Sequence, residues 1–224
     1  MNNAGVAFLP SRQVTEDGQE AVMQVNHLGS FLLTNLLAAA LTHEAGSRVV
    51  MVSSLAHAWP RHGLQYSDLA WARTPYSMVE VYGQSKLANI LFAKEFGRRY
   101  QGAGITTYAV HPGAVITELA KDFQNKIPRF IKPVTDYLAS LGNVKVVAVP
   151  SSKAHALCLV LKTPEGGAQT VLYCCAEPAL AGETGLYYAE CRQKQPSATA
   201  TSAAEAARLW EFSEKIVGDI TPIQ

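Results

Sequence analysis

The chain has 224 residues, a formal net charge of +1 and 48% hydrophobic residues. Its length allows one sizeable core, and its composition is that of a globular protein rather than a disordered one. The near-neutral charge argues against a nucleic-acid or membrane-surface partner, no leader or membrane-spanning stretch is recognisable, and the four cysteines without C-x-x-C spacing are expected to be reduced thiols rather than metal ligands.

Helices and strands are predicted to alternate in the first half of the chain. Apolar residues at mixed helical spacing predict a helix from Glu20 to Leu41, and the same pattern returns from Tyr82 to Arg99. Short apolar, β-branched runs predict buried strands at Ser47–Ser54 and Ile105–Val110. The alternation predicts an α/β fold with a parallel sheet and right-handed crossovers.

The second half of the chain is more mixed. Lys121 to Ala139 holds aromatic residues and prolines and is expected to form a lid of short helices. Strands are expected at Asn143–Val149 and Leu186–Ala189, an apolar helix within Glu165–Glu177, and a closing amphipathic helix from Ala203 to Val217.

Tyr82 and Lys86 stand four residues apart, so on a helix they share one face. A phenol has an ordinary pKa near 10 and must ionise more easily to exchange protons near neutral pH. A neighbouring ammonium favours that ionisation. The pair is therefore a candidate acid/base site, although an ordinary surface pair on a helix has the same spacing.

Polar residues at two predicted strand ends and inside one helix add to this candidate site. Ser53-Ser54 and His111-Pro112-Gly113 follow the two buried strands, at the carboxyl edge where open α/β sheets bind ligands. Asn26 lies inside the first helix, where asparagine is unfavourable. The alternatives are a simple turn at residues 111–113 and a hydrogen-bonded core amide at Asn26.

These motifs together resemble the classical short-chain dehydrogenase/reductase family, and the surrounding text resembles its retinol dehydrogenase-like branch. The resemblance covers roughly residues 1–139 and 160–217. It is carried by Asn2-Asn3-Ala4-Gly5, Val25-Asn26-His27-Leu28-Gly29, Val52-Ser53-Ser54, Tyr82-Gly83-Gln84-Ser85-Lys86 and His111-Pro112-Gly113, in the family's order.

The resemblance implies four catalytic residues and a Rossmann-like parallel sheet with flanking helices. Tyr82 would be the general acid/base, and Lys86 would lower its pKa and hold the nicotinamide ribose. Ser54 would orient the substrate oxygen, and Asn26 would anchor a water that links Lys86 to solvent. His27 and His57 match no catalytic position of the family and are interpreted as structural.

The resemblance also implies a nicotinamide cofactor, NADP or NAD, with NADP favoured. Asn3, Ala4 and Gly5 would line the nucleotide side together with Tyr82 and Lys86. Pro112 and Gly113 would abut the nicotinamide, and Thr117 would meet its carboxamide or the pyrophosphate.

The expected function is an NAD(P)-dependent oxidoreductase that interconverts a lipophilic, retinol-like alcohol and its aldehyde or ketone. A non-catalytic fragment or pseudo-enzyme is the main alternative, and a nucleotide-sugar epimerase is a third. The expected location is cytoplasmic or peripheral to the endoplasmic reticulum membrane. A homodimer through the helix that bears Tyr82 and Lys86 is also expected from the resemblance.

Two features depart from the family pattern. No glycine-rich G-x-x-x-G-x-G loop stands upstream of Asn2. We therefore expect residues 1–224 to form a single partial domain that lacks the first nucleotide-binding βαβ half. Such a domain would bind dinucleotide weakly or not at all and would expose an apolar sheet edge. Residues 140–157 look like an insertion within a substrate-lid region at 118–165.

Overall fold

The computed structural model describes residues 1–44, 46–113, 115, 144–149 and 157–218. The expected lid at 121–139 and Thr117 lie outside these described residues. The domain boundaries and the insertion at 140–157 therefore stay predictions.

The main sheet has four strands, and its helix–strand alternation confirms the predicted Rossmann-like α/β fold. The strands are β1 (Arg48–Val52), β2 (Thr106–His111), β5 (Leu186–Ala189) and β6 (Arg192–Gln193), hydrogen-bonded in the order β1-β2-β5-β6. The first three run parallel, and β6 pairs antiparallel with β5, so the sheet is mixed at that edge. The strand expected at 143–149 is β3 (Val144–Val149), which pairs antiparallel with an additional strand, β4 (Leu157–Lys162).

The helices lie where the periodicity predicts them, within a few residues. They are α1 (Ala21–Met23), which continues through a π-helical turn (Gln24–Leu28) into α2 (Gly29–Thr42), then α3 (Met78–Tyr100), α4 (Pro164–Ala176), α5 (Ala198–Thr201) and α6 (Ala203–Gly218). Short 3-10 turns lie at Leu55–Ala58, Gln101–Ala103 and Pro178–Leu180.

Strand β1 shows why the sheet is covered on both faces. Val49 and Met51 point into one core, which is formed with α1, α2, α3 and α6. Val50 and Val52 point into a second core beneath α4. Side chains alternate along a strand, so a continuous apolar run can serve two apolar layers. This explains why the sequence of β1 does not alternate with polar residues.

Residues near the N-terminus cover the outer edge of β1. The Asn2 amide donates to the Val50 carbonyl at 2.8 Å, and the Val52 amide donates to the Asn2 carbonyl at 3.0 Å, in a parallel bridge opposite Met51. The Asn2 side chain also donates to Thr34 Oγ1 at 2.9 Å. Val49 to Val52 are all buried, so the apolar edge that we expected to be exposed is covered in this region.

The helical stretch Ala21–Thr42 is long and apolar enough to cross a membrane by length and composition. Its residues Val22, Leu28 and Phe31 are nevertheless buried inside the domain. Phe31 packs edge-on against Phe92 of α3, with ring centroids 5.4 Å apart. The face of the stretch that carries Phe31 therefore packs in the folded core, whereas Leu33, Leu36 and Leu37 are exposed.

Candidate active site

Helix α3 brings Tyr82 and Lys86 together on one face. It begins after Ser77, whose hydroxyl accepts a hydrogen bond from the Glu80 amide as an N-cap. The Lys86 ammonium lies over the Tyr82 ring, 5.6 Å from its centroid, and donates to the Val52 carbonyl at 3.2 Å. Lys86 is 5% exposed, so the pair is not an ordinary surface pair.

Two consecutive serines follow β1, and they have different surroundings. Ser53 is buried and its hydroxyl donates to the Lys86 carbonyl at 2.7 Å, which fastens the strand to α3. Ser54 is extended and partly exposed, and its hydroxyl accepts a hydrogen bond from the Ala56 amide at 3.2 Å. It lies close enough to the Tyr82 phenol to lower the pKa of that group. The catalytic role of Ser54 stays a prediction.

Gly83, inside the motif, allows this close approach of the Ser54 loop to α3. A Cβ at position 83 would lie 2.9 Å from the Ala56 carbonyl oxygen and 3.0 Å from Pro60 Cδ. Real Cβ atoms do not come so close to backbone, so the glycine is required by packing.

Asn26 lies in the π-helical turn and connects three segments of the site. Its amide nitrogen donates to the Val6 carbonyl and to Ser85 Oγ, both at 2.9 Å, and its oxygen accepts from the Val6 amide at 2.7 Å. Ser85 in turn donates to the Tyr82 carbonyl at 2.8 Å. π-helical turns are frequent at functional sites, and this one aims a buried amide at the motif on α3.

Ser85 was missed as a site residue by sequence reasoning. It stands three residues after Tyr82 and one before Lys86, so a helical projection places it beside Asn26 only once the packing of the two helices is known. The Val52 carbonyl was missed for the same reason, because main-chain acceptors leave no mark in the sequence.

Residues 3–5 run past the buried end of this site. Asn3, Ala4 and Gly5 are exposed. A Cβ on Gly5 would lie 3.1 Å from Asn26 Oδ1 and 3.5 Å from Lys86 Nζ. The chain therefore passes close to both polar groups, with little space for a side chain between them.

Burial sets the protonation of the pair. Burial lowers the pKa of Lys86 to about 8. Burial raises the pKa of Tyr82, and the nearby Ser54 side chain offsets part of this effect. The expected lowering of that pKa by Lys86 stays a prediction. The phenol is protonated at neutral pH, so it holds the proton that reduction of a carbonyl would require.

The turn after β2 lies at the same edge of the sheet. Pro112 and Gly113 are half-buried, and Gly113 has φ +94°, a conformation that favours glycine. A Cβ there would lie 2.9 Å from the aliphatic part of Lys162, whose ammonium pairs with Glu190 at 2.8 Å. An ion pair therefore lies next to the predicted nicotinamide turn.

The two histidines have structural partners. His57 Nδ1 bonds the Ser54 carbonyl at 2.7 Å, and its Nε2 accepts from the Ser197 amide at 3.1 Å. His27 Nε2 bonds Ser213 Oγ of α6 at 2.9 Å. Both contacts agree with the structural interpretation.

Comparison with known proteins shows a similarity to short-chain dehydrogenases. A family model described as short chain dehydrogenase matches residues 1–67. Human retinol dehydrogenase 13 is 39% identical over 218 residues, covering 97% of this chain and 60% of that protein. Human retinol dehydrogenase 14 is 36% identical over 219 residues, with coverages of 97% and 58%. Bovine dehydrogenase/reductase SDR family member 13 is 36% identical over 221 residues, with coverages of 97% and 51%.

A solved structure of an uncharacterized protein from Mycobacterium paratuberculosis superposes with a TM-score of 0.68 at 29% identity, covering 97% of this chain and 65% of that one. The chain spans 51–60% of the length of the three relatives above. Residues 1–67 therefore match the short chain dehydrogenase model, and 97% of the chain is similar to retinol dehydrogenases 13 and 14.

Proposed function

We propose that the protein is an NAD(P)-dependent oxidoreductase that interconverts a lipophilic alcohol and its aldehyde or ketone. The observation that supports this most strongly is the meeting of Tyr82, Lys86 and Ser54 at the carboxyl edge of the sheet, with Lys86 buried against Val52. Open α/β sheets bind their ligands at this edge.

In the reducing direction, the Tyr82 phenol donates its proton to the substrate carbonyl oxygen. Ser54 donates a hydrogen bond to the same oxygen and orients it. In the oxidising direction the ionised Tyr82 phenolate accepts the alcohol proton and becomes the phenol, while Ser54 still orients the substrate oxygen. A positioned acid/base group of this kind contributes roughly 10²–10⁴-fold to the rate.

Asn26 and Ser85 hold the acid/base helix in register with the N-terminal segment. The amide of Asn26 uses its hydrogen-bonding groups on Val6 and Ser85, so its side chain acts by positioning. The water that Asn26 would anchor, as a link from Lys86 to solvent, stays a prediction.

The residues around Lys86 suit a nicotinamide dinucleotide. Lys86 has three ammonium donors, and one of them meets Val52, which leaves donors for ribose hydroxyls. Asn3, Ala4 and Gly5 would hold the nucleotide side, and Pro112 and Gly113 would meet the nicotinamide. When bound, the dinucleotide supplies or accepts the hydride.

The substrate class rests on the relatives. The most similar proteins described above include two named retinol dehydrogenases, which supports a lipophilic alcohol or carbonyl. Fold alone does not define a substrate, and NADP and NAD are to be compared directly.

The homodimer through α3 stays a prediction. Of the 23 residues of α3, 15 are buried within the same chain, whereas Met78 and Val79 at its start are exposed. A second group of exposed apolar side chains lies on α2, at Leu33, Leu36 and Leu37. Sedimentation of the wild type and Leu36→Glu tests whether the chain pairs, and through which helix.

The function is tested by hydride transfer. The purified chain is assayed at 340 nm with NADPH or NADH and lipophilic aldehydes, retinal among them, after fluorescence titration of each dinucleotide. We expect aldehyde-dependent oxidation of at least one dinucleotide, at dinucleotide concentrations high enough to offset the weak binding predicted from the missing glycine-rich loop. Bound dinucleotide without turnover on any carbonyl would favour the non-catalytic alternative and overturn the proposal.

A further inference from the structure

Three aromatic rings from separate segments meet at the mouth of the candidate site. Phe8 lies 5.0 Å from Tyr82 by ring centroids, and Trp59 lies 6.4 Å from each of them. Phe8 comes from the segment after Gly5, and Trp59 follows the 3-10 turn after Ser54. The acid/base residue is therefore one corner of an aromatic cluster.

The outer two rings are open to solvent. Phe8 is 39% exposed and Trp59 is 44% exposed, and Leu55, the neighbour of Ser54, is 60% exposed. Trp71 and Trp210, by contrast, are 3% and 4% exposed. Exposed apolar surface beside a polar site often marks a place where a ligand binds and covers that surface.

The backbone of Phe8 is strained. Its φ of +54° is in the left-handed region, which a bulky residue rarely adopts. The strain is maintained by the two hydrogen bonds that tie Val6 to Asn26, at 2.7 and 2.9 Å. Strained residues of this kind are frequent at functional sites. Here the strained conformation places the Phe8 ring against Tyr82.

The charge beside the cluster decides between two kinds of ligand. Groups of aromatic rings often bind cations through their ring faces. In this site the Lys86 ammonium already lies over the Tyr82 ring, 5.6 Å from its centroid. A second cation would meet like charge, so a neutral flat group is favoured.

We infer that Phe8 and Trp59 are substrate-binding residues that stack a planar conjugated or aryl group next to the reacting carbon, and so select conjugated over saturated alcohols. This inference rests on the proposed function, because Tyr82 and Ser54 are taken to meet the substrate oxygen. Offset or edge-on aromatic pairs are worth about 0.5–1.5 kcal/mol beyond their buried area, which corresponds to roughly a two- to tenfold preference.

Binding is measured on the whole chain with cinnamyl alcohol and its saturated counterpart 3-cyclohexyl-1-propanol, by ligand-observed NMR. Tryptophan emission locates the ligand, because the most exposed of the three tryptophans is Trp59. We expect cinnamyl alcohol to bind several-fold more tightly, with a blue shift of emission. Tetramethylammonium is the cationic probe and is expected not to compete.

The variants remove one ring each. Phe8→Asn suits the left-handed backbone, since asparagine adopts it readily, and Trp59→Leu keeps an apolar side chain. Both are expected to abolish the preference for cinnamyl alcohol. Leu172→Ala on α4 removes an apolar side chain that is 57% exposed and serves as the matched control, with the preference unchanged.

The outcomes separate the inference from the proposed function. Equal affinity for the two alcohols, an unchanged preference in Phe8→Asn, or displacement of cinnamyl alcohol by tetramethylammonium would overturn the inference. Selective binding that depends on Phe8 and Trp59, in a chain without hydride transfer, would support the binding site and overturn only the proposed function.

Discussion

The Lys86 ammonium lies over the ring of Tyr82, 5.6 Å from its centroid, and is held there by the Val52 carbonyl at 3.2 Å. The charge therefore faces the aromatic ring from within the protein. Burial disfavours the charged form of both groups, so it lowers the pKa of Lys86 and raises the pKa of Tyr82. With a pKa of about 8, Lys86 is nevertheless still mainly an ammonium at pH 7.

Lys86→Met is expected to stabilise the fold at neutral pH while removing activity. The folded pKa of Lys86, about 8, is below its ordinary value of 10.5, so the unfolded chain binds more protons between these pH values. Wild-type stability should therefore rise from about pH 8 to 10.5, and the penalty is complete below pH 8. Removing the charge should add about 1–3 kcal/mol at pH 7.

Urea denaturation of wild type and Lys86→Met at pH 7, 8, 9 and 10 measures this effect. The stability difference should narrow as the pH rises. A variant that is less stable than the wild type at pH 7, or a difference that does not change with pH, would show that the buried ammonium carries no such penalty.

Gly83→Ala is expected to loosen the loop that carries Ser54. The new methyl group would meet the Ala56 carbonyl at 2.9 Å, so either the loop or α3 must move. We expect a loss of about 1–3 kcal/mol in the free energy of unfolding, together with reduced turnover. Gly102→Ala, where a Cβ meets nothing within 4 Å, is the matched control. Equal melting temperatures for the two variants would contradict the packing role of Gly83.

His27 is expected to contribute to acid sensitivity. Burial lowers its pKa from 6.5 to about 4, so the unfolded chain binds more protons between these values. Its contribution is present above pH 6.5 and is lost as the pH falls toward 4. His27→Leu removes the hydrogen bond to Ser213, and the stability difference from wild type should shrink between pH 7 and pH 5. A pH profile of His27→Leu identical to that of the wild type would exclude this role.

Much of the fold follows from local sequence patterns. The strands β1 and β2 are apolar runs that each serve two layers, and α3 has a regular apolar face, so their bounds agree with the prediction within a few residues. The antiparallel β6 was not predicted, because a two-residue strand is defined by its partner β5 rather than by its own composition.

Only the part of the site that consists of recognisable side-chain motifs could be predicted from the sequence. Tyr82, Lys86 and Ser54 have recognisable spacing, and the structure brings them together. The roles of Ser85, Phe8 and Trp59 depend on how distant segments pack, and the strained backbone of Phe8 has no signature in the sequence. Thr117 lies outside the described residues and stays a prediction.

The central claim is that Tyr82 is the acid/base group of a hydride-transfer site, and Tyr82→Phe tests it most directly. Initial rates of aldehyde-dependent NADPH or NADH oxidation are measured for both proteins, with dinucleotide affinity measured in parallel by fluorescence. Loss of one hydroxyl should lower turnover by roughly 10²–10⁴-fold with dinucleotide affinity unchanged. Turnover within a few-fold of the wild type would remove Tyr82 from the chemistry and contradict the proposed mechanism.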